Sequence, residues 1–161
     1  MSKKKFDKFE QKFIPVNSSR VKVFGEIGRR IDITIQNNLL KLDIDKDFLS
    51  SFKSKKDKNA VYIGVGKLID SLVKFSVYSG SKKVLSLKKY VINEIVNAQE
   101  PDGYIGNMIP GSRMCKLWDV HEMGYIIFGL LQDYLVYSNT KSLLAAEKAA
   151  DYIIKNWSML P

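Results

Sequence analysis

Apolar residues recur every three or four positions in four stretches after residue 60, which is the spacing of one face of an α-helix. The pattern predicts an all-α protein whose four long helices have about 16 to 19 residues each. The predicted core positions of these helices, in chain order, are Val65, Leu68, Ile69, Leu72 and Val73; Leu87, Val91, Ile95 and Ala98; Ile127, Leu130, Leu131 and Tyr134; and Leu143, Ala146, Ala150, Ile153 and Trp157.

The first third of the chain has a less regular pattern. Residues 20–25, RVKVFG, alternate apolar and basic side chains, which predicts a short strand or an extended lead-in. A short helix is predicted over residues 45–52, because acidic residues at its start favour a helix N-terminus. A longer helix is predicted between these two segments, with its apolar stripe formed by Ile27, Ile31, Ile35 and Leu39.

The joints between the long helices determine which topologies are open. The joints Ser79–Ser81, with Gly80 as the helix stop, and Asn139–Thr140 are short, and short joints make antiparallel hairpins. The joint over residues 99–120 is longer than most connections that lack structure of their own, and such loops are often functional. The order of hairpin, long loop and hairpin fits a solenoid, a bundle or an arc of an α/α toroid.

Composition divides the chain into a tail and a domain, and it argues against nucleic-acid and membrane functions. Residues 1–19 are polar and Lys-rich and are predicted to form a flexible basic tail, followed by one domain over residues 20–161. The net charge is +9, but most basic residues are Lys scattered among acids, which indicates a solvated surface rather than a nucleic-acid site. The sequence contains neither a membrane span nor a signal peptide, so we expect a cytoplasmic protein without membrane contact.

The end of the second long helix carries the first candidate residues. A proline at position 101 ends the helix, and Asp102 with Gly103 is a strong turn signal. The side chain of Gln99 is expected to fold back on the loop backbone, so these residues are predicted to have structural roles. Tyr104 fits either a core position or the wall of a pocket.

The start of the third long helix carries the second group of candidates. Asp119 stands at a predicted N-cap with Glu122 three residues later, which is the spacing of a capping box and predicts structural roles for both. His121, the only histidine, then falls in the first turn. A zinc motif of the HExxH type needs a second histidine where the chain has Tyr125. The single cysteine, Cys115, excludes both an internal disulfide and a multi-cysteine metal site.

Taken in order, these motifs resemble the N-terminal part of the β-L-arabinofuranosidase-like enzymes of glycoside hydrolase family 127. The similarity covers roughly residues 60–157. It consists of a helix end of the form AQ-x-x-DGY, a tryptophan, a His-Glu pair and the hairpin after them. The segment GEIGRR resembles the family's helix start, with Glu26 and Ile27 in place of the usual aromatic pair. The matching motif positions are Gln99, Asp102, Gly103, Tyr104, Trp118, His121 and Glu122.

The resemblance implies an (α/α)6 toroid in which His121, and with it Tyr104 and Trp118, contacts the sugar. It also implies a retaining mechanism with a cysteine nucleophile in a zinc site of three cysteines and one glutamate, and a separate glutamate as acid/base. The one cysteine of this chain does not match that nucleophile. The chain is therefore expected to hold no catalytic residue and no metal ligand, and to be an inactive segment of an enzyme for arabinofuranosyl or related glycans.

An incomplete toroid predicts an open apolar face, and large exposed apolar patches are unusual in proteins that act as monomers. We expect the chain to be a truncated or split product whose partners are the remainder of the toroid, a second copy of itself and a carbohydrate. The alternative function is a stand-alone helical-hairpin scaffold that binds a protein partner through the same face. Downstream coding sequence rich in cysteine would favour the enzyme, and a co-purifying protein would favour the scaffold.

Overall fold

The protein is all-α, as the periodicity predicted, in a computed structural model that describes residues 16–58 and 61–157. The four long helices have 15, 16, 21 and 18 residues. Within the described ranges no strand forms, and the one β contact is an isolated bridge between Asp57 and Met108. The helices are α1 (Gly25–Ile33), α2 (Ser50–Ser54), α3 (Val65–Ser79), α4 (Lys82–Asn97), α5 (Leu117–Tyr137) and α6 (Thr140–Trp157).

The lead-in is extended but does not pair as a strand. A 3-10 turn at Ser18–Arg20 packs on α3, and the side chain of Asn17 caps it. The chain is then extended at Val21, and the backbone N–H of Val23 donates a 3.2 Å hydrogen bond to the Tyr78 hydroxyl. Residues 1–15 of the predicted tail lie outside the described residues.

The predicted stripe of the first helix is correct only in its second half. A π turn (Thr34–Asn38) and a 3-10 turn (Leu39–Lys41) continue α1, and they bury Ile35 and Leu39. Ile27 is 67% exposed, because no described element covers the first turn of α1. The short second helix forms as a π turn (Asp45–Leu49) that runs into α2.

Helices α3 and α5 form the centre of the fold and run parallel to each other. Glu122, near the start of α5, contacts the start of α3, and the hydroxyl of Tyr137, at the end of α5, lies 2.8 Å from the Ser76 hydroxyl. The two backbones come so close at Gly66 that a Cβ there would overlap the backbone carbonyl of Tyr125. All five predicted core residues of α3 are buried in this interface and around it.

Two hairpins surround this central pair. Helix α3 ends at Gly80 and α4 folds back on it, while α6 folds back on α5 after Ser138 and Asn139. Helices α3 and α4 form the first hairpin and α5 and α6 the second, with the long loop between them, as the sequence predicted. Closure of the helices into a toroid stays a prediction. No helix among the described residues is both long and apolar enough to cross a membrane.

The buried face of α6 agrees with the predicted one only at Ala146. The predicted stripe is half-buried at Leu143, Ala150 and Ile153, and its last residue, Trp157, is 60% exposed. Small side chains let α6 lie close to its neighbours, and the Gln99 side chain donates a 2.9 Å hydrogen bond to its backbone at Ala145. The residues that α6 buries are Ser142, Ala145, Ala146, Ala149 and Tyr152.

The core also contains an ion pair that the periodicity did not predict. The ammonium of Lys88 on α4 donates to Oδ1 of Asp133 on α5, and both side chains are buried. Asn139 and Ser142 each donate a 2.7 Å hydrogen bond to Oδ2 of the same carboxylate. Because a buried charge is costly without partners, this network both satisfies Asp133 and joins three helices.

Candidate functional site

The long loop runs from Ala98 to Lys116 and is held by its own polar side chains. Gln99 donates from Nε2 to the carbonyl oxygen of Gly103, at 3.0 Å, and Asp102 accepts the backbone N–H of Tyr104, also at 3.0 Å. Gly103 has a φ of 99°, and a Cβ there would overlap the carbonyl of Lys148 on α6. These contacts seat the turn of the loop directly on α6.

Tyr104 is a core residue and does not line a pocket. Its relative exposure is 0%, and its hydroxyl donates a 2.7 Å hydrogen bond to Asp119 and accepts a 2.8 Å one from the N–H of Met108. The guanidinium of Arg113 lies 3.9 Å from its ring centroid. Burial, together with the charge of Asp119, raises the pKa of Tyr104. The prediction that Tyr104 contacts a sugar is therefore wrong.

Asp119 is not the N-cap of the third long helix. Helix α5 begins three residues earlier than predicted, with Lys116 at the N-cap position and no side-chain cap. Asp119 instead lies in the first turn, is buried, and accepts the N–H of Met114 at 2.8 Å as well as the Tyr104 hydroxyl. Burial raises the pKa of Asp119, and these hydrogen bonds oppose that rise. Its carboxylate holds the loop, so the predicted N-cap is wrong.

Glu122 caps the start of α3 and not the start of α5, the helix to which it belongs. Its carboxylate accepts backbone N–H groups of the first turn of α3 and of the residues before it: Ile63 at 2.7 Å, Gly64 at 2.8 Å and Val65 at 3.0 Å. The N-cap of α3 is Gly64, which has no side chain to do this. Burial raises the pKa of Glu122, while these N–H groups lower it. The predicted capping box within α5 is wrong.

An aromatic cluster forms where the starts of α3 and α5 meet. It consists of Tyr62, Trp118, His121 and Tyr125, with His121 at its centre in the second turn of α5. The imidazole centroid lies 5.0 Å from that of Tyr62, 5.2 Å from that of Trp118 and 4.9 Å from that of Tyr125, all edge to face. Such contacts stabilise ring pairs by about 0.5–1.5 kcal/mol beyond their burial.

The aromatic cluster is open to solvent on one side. Trp118 is 43% exposed, and a shallow groove of about 300 Å³ runs along His121, Gly124, Tyr125 and Phe128. The ammonium of Lys67 on α3 lies at its edge, 4.4 Å from the ring centroid of Tyr125. This surface offers ring faces, an imidazole and one cation.

The sequence predicted two members of the aromatic cluster, His121 and Trp118, and missed Tyr62, Tyr125 and Lys67. Tyr125 follows His121 by four residues, so helical spacing would have placed the two on one face. Tyr62 and Lys67 join the cluster only through the packing of α3 on α5, and no local signal points to them.

The zinc site that the resemblance implied does not fit this chain. Such a site takes three cysteines and a glutamate, whereas the sequence has one cysteine, and Cys115 is exposed. Within the described ranges no group of three or more His, Cys, Asp or Glu side chains is placed to hold a metal ion.

The hairpins and the aromatic cluster together show the class of protein: an all-α domain with an aromatic surface at one end of the parallel helices α3 and α5. The family model described as β-L-arabinofuranosidase, GH127 catalytic domain, matches residues 48–160. The chain therefore belongs to glycoside hydrolase family 127, and the suspected resemblance is confirmed. No curated protein and no solved structure matches it.

Proposed function

We propose that this chain is a segment of a glycoside hydrolase for arabinofuranosyl or related glycans, and that its aromatic cluster forms one wall of the sugar-binding site. Family membership supports the class of enzyme. The observation that carries the site is the partly exposed ring surface of Trp118 and Tyr125 around a central histidine. Binding sites are typically concave and aromatic, with a few polar groups that fix the orientation of the ligand.

Each residue of the aromatic cluster has a role that its chemistry allows. Trp118 offers a ring face on which the C–H face of a sugar packs. His121 offers one ring nitrogen as a donor and the other as an acceptor for sugar hydroxyls. Tyr62 and Tyr125 hold the imidazole from two sides, which limits the rotamers of His121.

We propose further that the chain alone does not cleave a glycosidic bond. The two carboxyl groups nearest the aromatic cluster in sequence, Asp119 and Glu122, are buried and fully engaged by the loop and by α3. Neither is therefore free to act as the acid/base, and Cys115 does not match the nucleophile that the family resemblance implies. We propose that the catalytic groups are the downstream cysteine and glutamate that the family resemblance implies.

Sugar binding is tested by titrating methyl β-L-arabinofuranoside while tryptophan fluorescence and amide NMR shifts are recorded. Two tryptophans make a matched pair, because Trp118 lies in the aromatic cluster and Trp157 is exposed near the end of α6. We expect Trp118→Ala and His121→Ala to abolish the response and Trp157→Ala to retain it. A response that survives both cluster substitutions, or no response of the unaltered chain, would refute the site.

Catalysis is tested with an aryl β-L-arabinofuranoside, with added zinc and with a chelator. We expect no release of the aryl group in either condition. Release that the chelator abolishes would show that the chain has a zinc-dependent site of its own, against the proposal.

The lower half of α5 favours a second function, that of a scaffold for a protein partner. Phe128 and Leu135 continue the exposed surface along α5, with the half-buried Gln132 between them, and Leu135 is 70% exposed. Gln132 and Leu135 also line a groove of about 510 Å³, together with apolar residues such as Val77 and polar ones such as Asn17 and Lys74. Either a second copy or another protein would bury this surface.

Self-association is tested by light scattering over a range of protein concentrations. We expect mass to rise with concentration, and Leu135→Lys to weaken the rise more than Leu144→Lys, which changes an exposed leucine on α6. A monomer at all concentrations that melts cooperatively would count against an open face that needs covering. We propose further that the protein is cytoplasmic, since its one cysteine is a free thiol, as is usual in reducing compartments.

A further inference from the structure

We propose that the sugar bound at the aromatic cluster is anionic, and that the ammonium of Lys67 binds its negative charge. The inference rests on the proposed sugar-binding function and adds a ligand class to it. The carboxylate of a uronate is the simplest group of this kind.

Two aromatic rings of the cluster hold the ammonium in place. Nζ of Lys67 lies 4.4 Å from the ring centroid of Tyr125 and 5.2 Å from that of Tyr62. Both distances are within the range of cation–π attraction, which is about 6 Å. The charge is therefore fixed at the edge of the aromatic cluster, on the side where α3 faces solvent.

Lys67 forms no ion pair among the described residues, unlike Lys74 on the same helix and Lys88 on α4. Lys74, two turns later on α3, pairs with Asp70 at 2.7 Å, and Lys88 pairs with Asp133. Glu122 is close enough to raise the pKa of Lys67, yet its oxygens are directed at the backbone N–H groups of α3. The charge of Lys67 thus remains open to a ligand.

The surroundings of Lys67 keep it protonated at neutral pH. The Tyr62 side chain is the largest cause that raises the pKa of Lys67, and burial opposes that rise. The net charge of +9 adds a positive field that attracts anions from a distance. A neutral sugar gains little from either feature, whereas an anionic sugar gains from both.

A ligand of matching shape places its ring face on Trp118 and Tyr125 and its carboxylate on Lys67. Hydrogen bonds between ammonium and carboxylate are about twice as strong as neutral ones, but exposure reduces their effect. We expect about a threefold to tenfold tighter binding of the anionic sugar than of its neutral counterpart.

The test compares two ligands that differ only at C5: methyl β-L-arabinofuranoside, with a hydroxymethyl group there, and the same glycoside oxidised to the carboxylate. Both are titrated into the unaltered chain at low salt and at high salt. The variants are Lys67→Gln, Lys67→Arg and the control Lys74→Gln, which removes a lysine on the same helix. Circular dichroism confirms that each variant folds.

We expect tighter binding of the carboxylate, with a preference that weakens in salt, disappears in Lys67→Gln and persists in Lys67→Arg and Lys74→Gln. Equal affinity for the two ligands would overturn the charge preference and leave the sugar site intact. A preference that survives Lys67→Gln would also overturn it. Binding of neither ligand would refute the sugar site, and the inference with it.

Discussion

The carboxylate of Glu122 accepts the backbone N–H of Gly64, at 2.8 Å to Oε2 and 3.2 Å to Oε1. These residues lie 58 positions apart, on different helices. The contact caps the start of α3 and holds the residues after Tyr62 against α5. His121 lies on α5, one position before the glutamate. Glu122 therefore supports His121, a candidate ligand contact, by fixing the start of α3 against α5.

Removing this cap is expected to destabilise the fold. Glu122→Ala leaves the N–H groups of Ile63, Gly64 and Val65 without their acceptor, at a cost of about 2–4 kcal/mol in the free energy of unfolding. Glu122→Gln should cost less, since its amide oxygen still accepts. Urea unfolding measures both, with Glu147→Ala on the exposed side of α6 as control. A Glu122→Ala variant as stable as the control would contradict the cap.

The hydroxyl of Tyr104 is expected to stabilise the loop. Tyr104→Phe removes the donor to Asp119 and the acceptor for the Met108 N–H, at a cost of about 1–3 kcal/mol. The matched control is Tyr90→Phe, which removes a hydroxyl that bonds Asp45 at the surface and should cost about 0.5 kcal/mol or less. Thermal unfolding compares the two, and similar losses would show that burial of the Tyr104 hydroxyl has no special effect.

Stability should depend on pH through Asp119. Burial raises the pKa of Asp119 in the folded protein, so the native state binds a proton at a higher pH than the unfolded chain does. The contribution of this group to the free energy of unfolding therefore grows as pH falls from neutral towards the unfolded pKa of about 3.9. The difference in stability between the unaltered chain and Asp119→Asn should widen on acidification. Parallel pH profiles would contradict the raised pKa.

Two glycines near the aromatic cluster should respond to alanine in opposite directions. Gly66→Ala places a Cβ against the backbone of Tyr125 and pushes α3 from α5, at a cost of about 1–3 kcal/mol. Gly124→Ala meets nothing within 4 Å and removes backbone freedom from the unfolded chain, so it should stabilise by about 0.4–1 kcal/mol. Chemical unfolding of both variants checks the pair, and a stable Gly66→Ala would show that the helices separate easily.

The prediction of the helices succeeded because helical periodicity is local. The stripe from Val65 to Val73 is buried as a whole, and Gly80 ends α3 where the sequence placed the stop. The buried face predicted for α6 was rotated around the helix axis from the observed one. Apolar size favoured Leu143 and Trp157, whereas packing chose the smaller residues Ala145 and Ala149.

The prediction of the site failed where the partner of a polar group lies outside its own helix. The capping-box spacing of Asp119 and Glu122 assumes that each carboxylate bonds its own helix. The donors came instead from Met114 in the loop and from the start of α3. From its residue type, Lys88 would be expected at the surface. It is buried, because its charge is paired with Asp133 on α5, which is 45 positions away in the sequence.

The sequence by itself determined the all-α class and the two hairpins with their long connecting loop, since these are carried by spacing within a few residues. It also carried the ordered motifs over residues 60–157 by which the chain resembles its family. Only the tertiary structure decided which side chains meet. Tyr62 and Lys67 reach His121 and Tyr125 because α3 packs in parallel on α5. Hydrogen bonds between residues more than 40 positions apart depend on how helices dock, and docking is set by the shapes of whole faces rather than by any short motif.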